Sequence, residues 1–239
     1  MPLAAVRVKP RLPRAWLSFD SVDDYVEVAA SPSLNPPSFT WEVWVKMHSN
    51  TYGIMDMGSI DSARKHIEFR GRFGYFEFRV ANLAEDDYWS ISSSPFVLNS
   101  WYHLVGTFEE NGIMRFFVNG VSQGTCSVTS HMDVSAENLR LGRLQWGGAA
   151  FHLDGSIASA RIYSRALAQE EIRHNMYRWG SPVKDGLVLW LAEDTINPPT
   201  WNDKSECGND GTIYGAVKVE RPRKAVRVNS AARVLAAVR

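Results

Sequence analysis

The stretch LSFDSVDDYVEV, residues 17–28, holds two short runs of alternating apolar and polar residues on either side of an acidic turn. Leu17 and Phe19 alternate with polar residues before the turn, and Val26 and Val28 do so after it. Alternation with a period of two is typical of a β-strand with one buried face, and Ser and Asp favour the turn between such strands. The stretch therefore predicts two strands of a half-buried sheet.

The same alternation recurs along the chain in short runs separated by Gly, Asn, Asp, Ser and Pro, which is the pattern of an antiparallel sandwich. Asn119-Gly120 lies between two such runs and predicts a hairpin, since both positions accept positive φ. One helix is predicted at Gln169–Arg178, with acidic residues in its first turn, where the helix dipole favours them. The predicted strands are Trp16–Phe19, Tyr25–Val28, Phe39–Met47, Tyr52–Met57, His66–Phe69, Tyr75–Val80, Tyr88–Ser92, Trp101–Phe108, Met114–Val118, Val121–Thr125, Leu139–Leu141, Ile157–Tyr163 and Leu187–Leu191.

The length of 239 residues and the hydrophobic content of 45% suit one large all-β domain with a sizeable core. No apolar run approaches the length of about 18 residues that a membrane-spanning helix needs. Prolines and arginines interrupt the N-terminal segment, where a signal peptide requires a continuous apolar stretch, so no signal peptide of the usual kind is expected. Cys126 and Cys207 either form a disulfide or remain two thiols, and the sequence leaves both open.

The formal net charge of zero conceals a division between the ends and the body of the chain. Residues 1–14 and 218–239 carry eleven basic residues and one acidic residue, whereas the body carries 15 basic and 25 acidic residues. Basic arms on an acidic body can bind other copies of the same chain, contact nucleic acid or an anionic surface, or only aid solubility. The acidic body argues against nucleic acid. The residues assigned to assembly are Arg7, Lys9, Arg11, Arg14, Arg221, Arg223, Lys224, Arg227 and Arg233, and a second short helix is predicted at Ser230–Arg239.

Five segments together resemble a laminin-G-like domain of the concanavalin A-like lectin and glucanase superfamily. They are LSFDSVDDYVEV (17–28), SFTWEVWVKM (38–47), SWYHLVGTFEENGIMRFFVNGVSQG (100–124), LRLGRLQWGGAAFHLDGSIASARIYSRALAQEEI (139–172), and DGLVLWLAEDT with DKSECGNDGTIYGA (185–216). The resemblance implies an all-β fold, a two-sheet antiparallel jelly-roll sandwich with one short helix and basic terminal arms.

The order of these segments differs from the order in that family, where a segment like the fifth normally comes before the first. We therefore expect a circularly permuted domain, or one unit cut from a tandem array. The expected organisation is a basic arm over 1–15, a jelly roll over 16–217 in which 186–217 is the permuted strand segment, and a second basic arm over 218–239.

Members of this family often hold calcium near the first strand, and the resemblance implies calcium as a cofactor here. The ligands would come from Asp20, Asp24, Asp154, Asp203 and Asn209, since calcium takes about six to eight hard oxygens from carboxylates and carbonyls. Ala158-Ser159 stands where the family has an acidic pair, and Glu206 where it has a glycine. The same aspartates could instead be turn formers that accept hydrogen bonds from backbone amides.

The catalytic patterns of related enzymes are missing from the sequence. It has neither the Glu-x-Asp-x-x-Glu strand of the glucanases nor the Arg-x-Glu-x-Arg strand of the alginate lyases, and no zinc or nucleophile motif. We therefore expect a protein that is not an enzyme. A sugar site is suggested by Arg70, Arg72, Tyr88, Trp89 and Trp146, because aromatic planes stack on sugar rings, although each residue could instead pack in the core or its rim.

These features favour a non-catalytic structural protein with a lectin-like body that self-assembles into a homo-oligomer through its terminal arms. Such a protein would form part of a virion, as a coat or decoration protein, or of a polymer on the cell surface. The alternative is a monomeric extracellular module for carbohydrate binding or adhesion, with a glycan as its partner.

Overall fold

The structure is a computed structural model, and it describes residues 11–50, 53–58, 65–82, 87–129, 135–146 and 149–222. Within these residues the chain is mostly β, with a 3-10 turn at Pro32–Leu34 and the helix α1 (Gln169–Tyr177) between β14 and β15. The strands are β1 (Ala15–Asp20), β2 (Tyr25–Val28), β3 (Phe39–Met47), β4 (Gly53–Met57), β5 (Lys65–Arg72), β6 (Tyr75–Asn82), β7 (Asp87–Pro95), β8 (Trp101–Phe108), β9 (Ile113–Val118), β10 (Val121–Ser127), β11 (Leu139–Leu141), β12 (Arg143–Trp146), β13 (Ala149–His152), β14 (Asp154–Tyr163), β15 (Leu187–Asn197), β16 (Thr200–Asp203), β17 (Gly211–Tyr214) and β18 (Val217–Glu220).

The first sheet is built around β14, which has neighbours along both of its edges. On one edge it pairs with β3, and the sheet continues through β8 and β9 to β10. The other edge is shared, because β1 pairs with the first half of β14 and β15 with the second half. β18 then extends the sheet beyond β1.

The second sheet runs in the order β17, β2, β11, β4, β5, β6, β7, and every pairing in it is antiparallel. β16 pairs with both β15 and β17, so it carries the chain from one sheet to the other. β12 and β13 form a separate hairpin that lies against β4. The predicted all-β jelly-roll sandwich with one short helix is confirmed.

The core lies between the two sheets, where aromatic rings from both sides meet. Phe69 of the second sheet contacts Trp41 and Phe116 of the first, with ring centres 6.4 and 5.9 Å apart. Gly106 faces the same core, and a Cβ at this position would come within 2.5 Å of the Phe78 ring. The close approach of the two sheets therefore requires glycine at residue 106.

Helix α1 lies on the outer surface of the first sheet, over a buried ion network. Asn175 of the helix donates hydrogen bonds to Glu42 (2.8 Å) and to the Tyr163 hydroxyl (2.9 Å). Glu42 also pairs with Arg161 and lies 3.0 Å from His103. Burial opposes ionisation of Glu42, but the charges of Arg161 and His103 outweigh it and lower its pKa to about 2. The network ties the helix to β3 and β14.

The segment 186–217 pairs with strands of its own chain in this structure, β15 with β14 and β17 with β2. The five strands that the sequence did not predict, β12, β13 and β16–β18, each have four residues. Cys126 and Cys207 are both unpaired. No helix in the described part of the chain is long and apolar enough to cross a membrane. The helix predicted at Ser230–Arg239 lies outside the described residues.

Candidate functional site

Charged side chains form a row across the outer face of the second sheet, the face turned away from the core. Strand register places Arg140 of β11, Asp56 of β4, Glu68 of β5 and Arg79 of β6 side by side. Opposite residues on neighbouring antiparallel strands have Cβ atoms about 5 Å apart, so the row is one contact network. Glu68 pairs with both Arg79 and Arg70, the latter at 3.4 Å. One carboxylate is thus held between two guanidinium groups.

Asp56 is fully buried in this row, and its Oδ1 has no hydrogen-bond partner among the described residues. Its Oδ2 accepts a hydrogen bond from the backbone N–H of Gln145, on the β12–β13 hairpin, at 3.1 Å. Burial, reinforced by the charge of Glu68, raises the pKa of Asp56 to about 8 against the opposing effects of Gln145 and Arg140. The carboxyl is therefore mostly protonated at neutral pH.

Burial also shifts the pKa values of two groups on β5, Glu68 and His66. It raises the pKa of Glu68, although the charges of Arg79 and Arg70 oppose it. For His66, burial together with the same two arginines lowers the pKa to about 4, so the imidazole is neutral. The row is closed to solvent here and serves as a rigid support for the part of the face beside it.

The exposed part of the outer face runs along β6 and β7, and we define this β6–β7 strip by Tyr75, Arg79, Tyr88, Ser90 and Ser92. Tyr88 is 50% exposed and Tyr75 42%. The Arg79 guanidinium lies 4.7 Å from the centre of the Tyr88 ring and donates a hydrogen bond to its hydroxyl. The strand register separates the two tyrosines by about 20 Å along β6, with exposed serines between them. Aromatic planes with hydroxyls between them can stack on a sugar chain and hydrogen-bond to it.

Three of the five predicted sugar-binding residues belong to this face. Tyr88 lies on the strip itself. Arg70 is 3% exposed and pairs with Glu68 and Glu77, so its predicted contact with a ligand needs correction: it is a buried part of the charged row. The Arg72 guanidinium lies at the end of β5, 4.8 Å from the ring centre of the exposed Phe73. The structure therefore brings Arg70, Arg72 and Tyr88 to one side of one sheet.

The prediction for Trp89 needs correction. Strand alternation turns it to the side opposite Tyr88, where it is 6% exposed and packs edge-on against Phe108 with ring centres 5.6 Å apart. It is a core residue and cannot stack on a ligand at the outer face. The side chain of Trp146 lies outside the described part of the structure.

The turn between β1 and β2 gathers three carboxylates, and we call residues 20–24 the acidic loop. Ligand oxygens of Asp20, Asp23 and Asp24 all lie within 4.8 Å of one another. Two oxygens at about 2.4 Å from one calcium ion can be about 4.8 Å apart, so the three carboxylates fit a common ion. Burial, followed by the charges of Asp20 and Asp23, raises the pKa of Asp24. Among the described residues, none of the three forms an ion pair with Lys or Arg.

The other predicted calcium ligands lie apart from the three oxygens of the acidic loop. Asp154 pairs with Asp20 in the strand register, but its carboxylate lies 3.5 Å from His48. Asp203 accepts hydrogen bonds from three backbone N–H groups, including that of Asn209. Asn209 and Asp203 sit near the Val28 end of β2, whereas the acidic loop precedes its Tyr25 end. Asp203 and Asn209 thus hold a turn at the opposite end of that strand.

The described chain ends leave the molecule at one edge of the first sheet, because β18 pairs antiparallel with β1. The backbone N–H of Arg221 donates to the carbonyl of Arg14 at 2.8 Å, and Arg11 pairs with Glu193. Three of the predicted assembly residues therefore lie close together. The other six, Arg7, Lys9, Arg223, Lys224, Arg227 and Arg233, lie outside the described residues.

Sequence reasoning missed Asp56, Glu68, Arg79 and Arg140 as site residues. The only signal was the alternation in HIEFRGR, residues 66–72, which places charged residues on one side of a strand. Which charges meet across strands depends on a register that the sequence does not state.

A family model described as the concanavalin A-like lectin/glucanases superfamily matches residues 20–173. No curated protein matches this chain. Among solved structures, the chain is similar to a proposed carbohydrate-binding protein from Bacteroides ovatus, with a TM-score of 0.65 and 21% identity, covering 89% of this chain and 61% of that one. This chain therefore spans less than two thirds of that protein's length.

Two further solved structures share the architecture. The heptameric SAP-like pentraxin from Limulus polyphemus gives a TM-score of 0.64 and 14% identity, covering 89% of this chain and 97% of that one. The CBM40 module of the Ruminococcus gnavus IT-sialidase, bound to α2,3-sialyllactose, gives a TM-score of 0.55 and 13% identity, covering 69% of this chain and 100% of that one. At sequence identities this low, the similarity to these three solved structures shows a shared fold and nothing about function.

Proposed function

Because this chain belongs to the concanavalin A-like lectin/glucanases superfamily, we propose that it is a carbohydrate-binding module that holds an oligosaccharide along the β6–β7 strip without cleaving it. The observation that carries the proposal is the exposed Tyr88 ring, held in place by Arg79 at one end of a hydroxyl-bearing strip. A ring that is already fixed loses little conformational entropy on binding. Similar solved structures described as carbohydrate-binding support the same class of ligand, and this role suits a location outside the cell or on a surface.

Burial of Asp56 and Glu68 supports binding without catalysis. Asp56 and Glu68 of the charged row are 0% and 1% exposed. Glu77, which lies on β6 between Tyr75 and Arg79, has a side chain that is 17% exposed and pairs with Arg70. Glycoside hydrolysis needs an acid and a base or nucleophile that reach the scissile bond and water. With Asp56 and Glu68 closed off in this way, Glu77 has no exposed carboxyl partner among the described residues of the charged row and the strip.

The test begins with a glycan array, followed by calorimetry on the glycans that bind. Tyr88→Ala should weaken binding about tenfold or more, because it removes the fixed aromatic contact at one end of the strip. Tyr177→Ala is the matched control, since Tyr177 is 41% exposed but lies on α1 over the other sheet. The proposal fails if no glycan binds or if both variants bind like the wild type. Release of shortened sugars from a bound oligosaccharide would refute the non-catalytic part.

We also propose that the acidic loop binds calcium. Asp20, Asp23 and Asp24 would supply carboxylate oxygens, and backbone carbonyls or water would complete the coordination. A bound ion would neutralise three crowded negative charges and fix the turn that joins β1 to β2.

Self-assembly through the terminal arms is a second candidate, and the junction of β1 and β18 favours it. β18 pairs with β1 alone within the described residues, so its other edge is open to a strand from another copy. The acidic body would attract the basic residues at this junction. Such an assembly would suit a structural protein of a virion or of a surface polymer.

Light scattering of the full chain at low and high salt tests this candidate. Assembly at low salt should weaken as salt rises and on changing Arg11, Arg14 and Arg221 together to serine. A protein that stays monomeric at low salt and high concentration would rule assembly out, while leaving the glycan proposal intact.

A further inference from the structure

A cavity of ≈ 990 Å³ lies on the other side of the molecule from the β6–β7 strip, and we call it the terminal cavity. Ser159 and Arg161 of β14 line it, together with Trp190 and residues 192–194 of β15, and with Lys218 and residues 220–222 at the C-terminal side. Residues 11–12, residues 14–15 and the segment 179–180 after α1 complete the lining. The volume falls in the range of about 300–1,000 Å³ that is usual for small-molecule sites.

Three buried N–H groups in this lining have no acceptor among the residues that the structure describes. They are Arg161 Nε, Trp179 Nε1 and Trp190 Nε1, on residues that are only 1%, 6% and 3% exposed. Most buried donors in proteins find a partner, since burying one without an acceptor is costly. Three such donors around one cavity therefore point to an acceptor that a ligand supplies.

Two nitrogens of the Arg161 guanidinium are held by contacts, and the third, Nε, has no acceptor among the described residues. Its Nη1 pairs with Glu42, and its Nη2 donates to the Trp179 carbonyl at 3.0 Å. Its Cζ also lies 5.6 Å from the centre of the Trp190 ring. These contacts orient the side chain, so Nε is a preorganised donor.

The surroundings of the terminal cavity are positively charged. Lys184 and Lys204 lie 4.2 and 4.6 Å from the centre of the Trp190 ring. The three acidic residues of the lining already have basic partners, Glu193 with Arg11, Asp194 with Lys204 and Glu220 with Lys218. This leaves the side chains of Arg14 and Arg221 without an ion pair among the described residues. The excess charge favours an anion.

We propose that the terminal cavity is a second binding site, which takes a small organic carboxylate whose oxygens accept hydrogen bonds from Arg161 Nε and the indoles of Trp179 and Trp190. An ionised carboxylate accepts hydrogen bonds and donates none, so it matches a lining whose unsatisfied groups are all donors. Hydrogen bonds of this kind to a charged group are stronger than neutral ones. An acidic monosaccharide and a free acidic amino acid share this chemistry.

The nine tryptophans allow a direct test on the full chain, by following indole N–H cross-peaks in nitrogen-15 correlation spectra. Trp179→Phe and Trp190→Phe assign the two signals. Titration with glucuronate should shift both in a saturable way, whereas glucose, which lacks the carboxylate, should not. Glutamate then identifies the source: equal binding means that the carboxylate alone is recognised, and weaker binding means that the sugar body contributes.

The variants separate a site from a packing effect. Trp190→Phe keeps an aromatic ring but loses the indole N–H donor, and it should weaken glucuronate binding about tenfold. Trp16→Phe is the matched control, because Trp16 also lies near a lysine, 5.3 Å from Lys46, but does not line the cavity. Arg14→Gln, at an exposed residue, should also weaken binding and gives a second variant if Trp190→Phe does not fold.

The proposal is overturned if neither indole signal shifts, if glucose shifts them as glucuronate does, or if the affinity is the same in both Trp190→Phe and Arg14→Gln as in the wild type. Tyr88→Ala should leave the affinity for glucuronate unchanged. A negative glucuronate titration would therefore not count against glycan binding on the β6–β7 strip. A negative glycan array would likewise not count against carboxylate binding in the terminal cavity.

Discussion

At the scale of single residues, Asp56 should make stability depend on pH. Folding raises its pKa from 3.8 to about 8, mainly through burial, so the folded chain holds a proton that the unfolded chain has lost. The free energy of unfolding should therefore fall as pH rises from about 4 to about 8. Asp56→Asn stays neutral, keeps an acceptor for the Gln145 N–H, and should lose this part of the dependence.

Urea unfolding of both proteins at about pH 5 and about pH 8 checks this prediction. The stability of Asp56→Asn relative to the wild type should increase with pH. Asp194→Asn, at a surface residue whose side chain is 65% exposed, is the control and should follow the wild type. Parallel pH curves for Asp56→Asn and the wild type would show that burial of Asp56 does not govern its charge.

The acidic loop gives a second prediction at this scale. The proposed calcium site exists only in the folded state, so adding calcium should raise the melting temperature of the wild type, and a chelator should reverse the change. Asp23→Asn should abolish the increase. Without calcium, the same variant should melt slightly higher than the wild type, because it removes one of three crowded charges.

Differential scanning calorimetry with and without calcium separates the outcomes for the acidic loop. Asp194→Asn again serves as the control, because it removes an aspartate away from the loop and should keep the calcium effect. An equal response to calcium in Asp23→Asn and in the wild type would place the ion elsewhere. No response in the wild type would mean that these aspartates only form the turn.

Tyr88 and Trp89 show how far sequence reasoning reaches for single residues. Alternation places the two neighbours on opposite sides of β7, so both could not serve one ligand site. The sequence does not say which side faces the core, because aromatic residues suit either side and Ser90 and Ser92 are compatible with both. Packing against Phe108 decides it.

At the scale of elements, helix α1 begins with only half of a capping box. The Glu171 side chain accepts a hydrogen bond from the backbone N–H of Ala168 at 2.9 Å, but Ala168 has no side-chain oxygen to return one. Its backbone is extended, with φ −70° and ψ 158°, which serine adopts readily. Ala168→Ser should therefore stabilise the protein by about 1 kcal/mol, or about 2–4 °C in melting temperature.

Thermal unfolding followed by circular dichroism is the measurement for the helix cap. Ala168→Val adds a side chain without an acceptor and should give no such gain. A serine variant no more stable than the valine variant would mean that the first turn of α1 is already satisfied by other contacts.

Element length explains only part of which strands the sequence could predict, since the short strands β2 and β11 were also predicted with their observed bounds, from the alternation of their apolar residues. β3 and β8, with nine and eight residues, were predicted with the bounds that the structure has. β12 and β13 have four residues each, and the hairpin owes its place to contact with β4, where Gln145 donates to Asp56. Such short strands depend on tertiary pairing, which leaves little periodicity in their own sequence. The sequence therefore did not predict that the β12–β13 hairpin covers Asp56 on the outer face of the second sheet.

At the scale of the whole molecule, the pairing of β1 with β18 brings the two described chain ends into hairpin geometry. Ala15 lies opposite Glu220, and the next residues outward, Arg14 and Arg221, are joined by a backbone hydrogen bond. A short linker could therefore connect residue 222 to residue 11. A new break between Val183 and Asp185 would fall in the segment between α1 and β15, where Asp185 is exposed.

Such a rearranged chain, running from 185 to 222, through a short flexible linker, and then from 11 to 183, would place the strand segment first, as the resemblance to laminin-G-like domains implies. We expect it to fold into the same sandwich, because every strand keeps its neighbours and only the connection between strands changes. Its urea unfolding should remain a single transition, with a free energy of unfolding within about 1 kcal/mol of that of the same residues in their present order. An unfolded or aggregating product would mean that 185–222 must follow the body during folding. In that case chain order, and not only the set of strand pairings, would specify this fold.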